Sequence, residues 1–199
     1  MLHRDKILAH AAQLLVSEEG PPRMDAQLAV YKRFLKIEEH RLRLAHRAGA
    51  SGLEVSRYRA ELLDVFLQHL YETARQTHYR GATAPPVAQG NGHHEPVSAE
   101  RHTRLPLPAI TLLATGGYGR GELNPFSDVD ILFLHDAGPD DPVRRELDGF
   151  VKQILYLLWD VGFKVGHATR SIAGTIAHAN ADPVSKTSQI GRASCRERV

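Results

Sequence analysis

The chain has 199 residues, 42% hydrophobic and 24% charged, the balance of a globular protein with one domain or a small domain plus an extension. No apolar run reaches the roughly 20 residues of a membrane span and no segment has the layout of a signal peptide, so no membrane role and a cytoplasmic location are expected. The formal charge of +2 falls to zero without the last ten residues, which hold three arginines and one glutamate, so the basic balance is no argument for a nucleic-acid partner.

Residues 1–80 are expected to form a helical extension. Ile7, Leu8, Ala11, Leu14 and Leu15 line one helical face, and Gly20-Pro21-Pro22 breaks the chain. A second helix is predicted from Met24 to Ala48, with Leu28, Tyr31, Leu35 and Leu42 among its apolar positions. Its "KRFLKIEEHRLRLAHR" stretch reads first as a solvated face with interleaved acids, and second as a partner-binding surface. "SGLE", Ser51 to Glu54, fits a capping box. The following helix, to about Arg75, stacks Val55, Tyr58, Leu62, Phe66 and Leu70. Residues 81–104 are rich in Gly, Pro and Ala and read as a linker or insertion. The adjacent His93 and His94 point in different directions and lack partners at ligand spacing, so no metal site is expected there.

Residues 105–189 change rhythm. Strands are predicted at Ala109 to Thr115, Val129 to Leu134 and Phe163 to Thr169. A helix spans Val143 to Val161, with Gly162 as its left-handed terminator. Ser171 caps a last helix to about Ala181. The fold class is therefore α+β, a small α/β core behind helices. Residues 190–199, "IGRASCRERV", have no apolar period and read like one frame of a sequencing-library adapter. They are expected to be a translated artefact behind a truncated reading frame, so Cys195 within them carries no argument.

The chemistry concentrates in "LLATGGYGRGELNPFSDVDILFLHD", Leu112 to Asp136. Gly117, Gly119 and Gly121 give G-x-G-x-G rather than a dinucleotide fingerprint, and the turn is expected to lead into another strand rather than a helix. The P-loop and calcium-hand patterns are also missing. Asp128 and Asp130 fall on one strand face, Cα atoms roughly 6 to 7 Å apart. Such a pair can bracket divalent ions about 3.5 to 4 Å apart, the spacing of two-metal phosphoryl transfer. Two like charges so close also raise one pKa. Gly116 and Gly117 let backbone N–H groups approach phosphate oxygens. Arg120 is the fixed cation beside them, and Ser127 can bond phosphate or cap the turn. Glu122 is expected to order the turn, by pairing with Arg120.

"GGYGRGELNPFSDVDILFL" resembles the signature of the PII uridylyltransferase nucleotidyltransferase domain, in the DNA polymerase β-like superfamily. "LLWDVGFKVGHATRS" and "AGASGLEVSRYRAELLD" are similar to its flanking stretches, so the likeness covers most of residues 1–188 outside 81–103. The resemblance implies a polymerase β-like core and Mg²⁺-dependent transfer of UMP from UTP to a tyrosine of a PII signal protein, under glutamine control. It implies metal binding by Asp128 and Asp130, and phosphate contacts from Gly116, Gly117 and Ser127. A related adenylyltransferase using ATP, or a non-catalytic nucleotide-sensing module, are the competing readings. One departure stands out: the family uses a third carboxylate, whereas "FKVGHAT" offers only His167, with Asp160 and Asp182 outside that strand. The third acid is expected just beyond "KTS", which makes the fragment an inactive or nearly inactive catalyst.

Overall fold

A computed structural model describes residues 3–15, 24–83, 105–181 and 192–196. Three helices lead: α1 (His3–Leu14), α2 (Met24–Arg47) and α3 (Gly52–Thr83). Their apolar stripes meet in one core, where Ile7, Tyr31, Phe34, Phe66 and Leu70 are fully buried. The capping box forms as read: the Ser51 N–H donates to Glu54 Oε2 at 2.7 Å and the Glu54 N–H returns to Ser51 Oγ at 3.3 Å. α3 runs past the expected end at Arg75 because its inner face continues through Ala74 and His78, both buried. Residues 81–83 thus belong to this helix, and the rest of the expected linker, His93 and His94 included, lies outside the described residues.

The core follows as β1 (Ile110–Ala114), a short helix α4 (Gly116–Gly119), β2 (Val129–His135), α5 (Arg144–Asp160), β3 (Val165–Ser171), α6 (Ile172–Ala181) and β4 (Arg192–Arg196). The sheet order is β3-β2-β1-β4, with β2 antiparallel to β1 and parallel to β3. The fold is α+β, as expected. Alternation sets its faces: Ile110, Leu112 and Ala114 of β1 lie beside His135, Phe133 and Ile131 of β2 and are buried, the apolar ones in one core with residues of α3 and α5. α3 ties the extension to this core. The Tyr71 hydroxyl donates to the Ile110 carbonyl at 2.8 Å, and Phe66 meets Phe163 at 6.4 Å between ring centroids.

Two predicted boundaries move. The third strand starts at Val165 rather than Phe163, because Gly162 (φ 100°) and Phe163 first close α5 by donating to Trp159 and Leu158 carbonyls at 2.9 Å each. β4 pairs antiparallel with the outer edge of β1 although its stretch shows no apolar period. Backbone pairing is indifferent to side-chain identity, so this strand does not bear on where residues 190–199 come from. Among the described residues no helix is long and apolar enough to cross a membrane.

Candidate active site

The glycine-rich stretch is more than a turn. Gly116 to Gly119 form a single helical turn, closed by Gly119 N–H on Thr115 O at 2.7 Å and Arg120 N–H on Gly116 O at 3.3 Å. The first N–H groups of any helix have no partner inside it, so the amides of Gly116 and Gly117 fall outside this bonding. The turn hangs on α3: the Tyr118 hydroxyl, buried, donates to Asp64 Oδ1 at 2.6 Å, and the Leu123 N–H donates to the Ser56 carbonyl at 3.1 Å.

Arg120 and Glu122 are both exposed and form no ion pair, contrary to expectation. Glu122 orders the loop through its backbone instead, its N–H donating to the Gly117 carbonyl at 3.0 Å. This suffices because Gly121, at φ 75°, reverses the chain and brings the two peptide groups together.

Asp128 and Asp130 line one open cleft of about 570 Å³ with Gly117, Arg120 and Ser127. Val129 between them is buried on the opposite face, the alternation expected of a strand. Asp128 is exposed and precedes β2, whereas Asp130 is half-buried within it. Burial, and then the Asp128 charge, hold the Asp130 carboxyl above its ordinary range.

Asp130 is also gripped sterically. A Cβ on Gly116 would lie 2.6 Å from its Oδ2, and a Cβ on Gly166 of β3 would lie 2.6 Å from its Oδ1. Gly116 therefore stands behind the carboxylate, making room for it, while Gly117 faces the cleft. Gly166 escapes a reading of the motif alone, because its place depends on the Asp130–Gly166 register of two strands far apart in sequence.

No third acid among the described residues joins the pair. Among the described residues there is no cluster of three or more His, Cys, Asp or Glu arranged to hold a metal ion. His167 sits in register with Ile131, on the face away from Asp130, with its ring 5.9 Å from Trp159. Asp160 is exposed at the end of α5, Asp182 lies outside the described residues, and β4 reads Arg-Ala-Ser-Cys-Arg. The two carboxylates still fit a divalent cation. They are hard oxygen donors converging on one cleft, and their mutual repulsion is what a cation relieves.

This geometry has a counterpart among known families. Residues 101–182 match the family described as "Nucleotidyltransferase domain". The chain carries a nucleotidyltransferase domain. Bifunctional uridylyltransferase/uridylyl-removing enzymes resemble it further: that of Gluconobacter oxydans is 47% identical over 91 residues, 46% of this chain and 9% of the relative. The Caulobacter vibrioides enzyme is 35% identical over 142 residues, 70% of the chain and 12% of the relative. The Pseudomonas aeruginosa enzyme is 49% identical over 73 residues, 37% and 8% respectively. The chain thus spans 8–12% of the length of these relatives. The nucleotidyltransferase match takes in β1, α4, β2, α5, β3 and α6, and so every residue named in the cleft between Gly116 and Asp130.

Proposed function

We propose that this nucleotidyltransferase domain transfers UMP from UTP to a tyrosine hydroxyl of a PII signal protein, as part of a longer enzyme under glutamine control. The observation that carries the reading is the convergence of Asp128, Asp130, Gly117, Arg120 and Ser127 on one cleft. The relatives' shared name supports UTP over ATP as donor.

In this reading Asp128 and Asp130 would hold Mg²⁺, which would supply Lewis-acid stabilisation of the charge that develops on phosphoryl transfer. Gly117 and Ser127 orient the triphosphate through a backbone N–H and a hydroxyl, and Arg120 supplies a fixed positive charge at its edge. Gly116 and Gly166 fix the Asp130 carboxylate by leaving it a slot. The tyrosine oxygen bonds to the α-phosphorus while the bond to the bridging oxygen breaks. Pyrophosphate leaves and the hydroxyl proton passes to solvent.

No third carboxylate stands in the cleft among the described residues, and residues 1–199 alone are expected to turn over slowly or not at all. Calorimetry of the chain with UTP and Mg²⁺ tests the site. Asp128→Asn should weaken binding at least tenfold, about 1.4 kcal/mol, with the far-UV circular dichroism unchanged. Unaltered binding in that variant would refute the assignment, and ATP binding tighter than UTP would favour an adenylyltransferase. Ready Mg²⁺-dependent labelling of PII by residues 1–199 would overturn the claim of weak activity.

A further inference from the structure

A second cleft, about 790 Å³, lies beside the first, between α2, the loop at 125–127 and the end of α5; Ser127 lines both. Its floor includes the apolar Leu35, Leu42 and Phe163, and its rim is basic: Lys32, Lys36, Arg43 and Arg47 from α2, and Lys164 opposite. The four α2 cations are exposed and recur at spacings of four, seven and four residues, which keeps them on one helical face. At about 1.5 Å per residue the row runs about 22 Å, the span of roughly seven extended residues.

The interleaved acids screen this face only in part. Glu38 turns inward and is fully buried, accepting from the Tyr58 hydroxyl and from Arg41, each at 2.6 Å, and facing His10 Nδ1. Among the described residues Glu39 is the one carboxylate lining the cleft, and it is shared between Arg43 at 3.5 Å and Arg59 at 3.3 Å. The excess of positive charge is therefore built by the fold. Beside Ser127, on the second cleft, stands Phe126, 95% exposed with φ 69°, a backbone conformation uncommon for a bulky residue.

We propose that this cleft docks the acceptor protein, through a short extended segment that carries carboxylates and at least one apolar side chain beside the acceptor hydroxyl. The proposal rests on the transferase reading above. The first cleft takes the triphosphate, and the acceptor must reach the same phosphorus from a contiguous surface. The basic row is too long for one nucleotide whose phosphates are already held. Carboxylates match its rim, and an apolar side chain matches its floor.

The test titrates the chain with a fluorescein-labelled peptide of Glu and Leu around one Tyr, a Gln-for-Glu control peptide, and single-stranded poly(U), by fluorescence anisotropy. The acidic peptide should bind in a salt-dependent manner and the control should not. Lys36→Glu combined with Arg47→Glu, both at exposed positions, should weaken peptide binding about tenfold, about 1.4 kcal/mol. MgUTP affinity in that variant should not change. Equal binding of the two peptides, or peptide binding indifferent to the double variant, overturns the proposal. So does an equal loss of MgUTP affinity, which would assign the cleft to the nucleotide. Poly(U) binding more tightly than the peptide through the same residues would make it a nucleic-acid surface and likewise overturn it. Peptide binding without MgUTP binding by the unmodified chain supports the docking surface while refuting the carboxylate site.

Discussion

Asp130 gives the residue-scale test of the site, because two glycines hold it by different means. Gly166 is exposed on β3 with no positive φ, so Gly166→Ala meets only the Asp130 carboxylate, 2.6 Å away. That carboxylate is the far end of a side chain and can rotate away. The variant should fold with an unchanged melting temperature yet bind MgUTP at least tenfold more weakly by calorimetry. Gly116→Ala meets the other carboxylate oxygen at the same distance, but its φ of 58° adds a left-handed backbone cost of about 1–2 kcal/mol. It should therefore lose both stability and affinity. Equal melting behaviour of the two variants, or intact binding in Gly166→Ala, would show that the slot does not position Asp130. The carboxylates and Gly116 were legible in sequence because they lie within one contiguous motif. Gly166 was not, since nothing local to it records which strand it will pair with.

At the scale of elements, α4 depends on α3 for its position. Tyr118 and Asp64 are 1% and 3% exposed, and the hydrogen bond from the Tyr118 hydroxyl joins the glycine turn to the extension. Arg4 stands 3.8 Å from the same carboxylate. Tyr118→Phe should cost about 1–2 kcal/mol, a fall in melting temperature of about 2–4 °C per kcal/mol for a chain of this size. Lower MgUTP affinity should accompany it, because Gly117 precedes Tyr118 directly. A melting temperature and an affinity both unchanged would show that α3 does not support the site. The extension's helices were readable from periodicity and one capping box. Its use as the scaffold of the glycine turn was not, because Asp64 lies on a helix whose sequence pattern only says that it is amphipathic.

For the molecule as a whole, the buried end of β2 makes stability sensitive to acid. His135 is 1% exposed, and among the described residues neither ring nitrogen has a hydrogen-bond partner of good geometry. Burial first, and then Arg144, hold its imidazole below the ordinary value, while Asp136, Asp148 and the Ala137 backbone oppose them. The unfolded chain takes up a proton below about pH 6.5 that the folded chain resists, so stability is complete above that pH and is lost as pH falls. His69, also lowered by burial, adds to the same slope. His135→Leu should flatten, without abolishing, the decline between about pH 6.5 and 5. It should also raise stability at the lower pH by about 1 kcal/mol, since an unsatisfied polar group is removed. Urea denaturation at the two pH values measures this, and parallel curves for the variant and the unmodified chain would rule it out.

The amino-acid sequence by itself determined the α+β class, most element positions, the glycine turn and the carboxylate pair. Each is written in contiguous residues whose spacing has a direct geometric meaning. The tertiary structure decided what depends on segments distant in the chain. It set Gly166 against Asp130, turned His167 away from the carboxylates, and anchored Tyr118 on Asp64. By turning Glu38 inward it also left the α2 face basic. These follow from strand register and helix rotation, which are fixed by the packing of the whole core and by no single stretch of sequence.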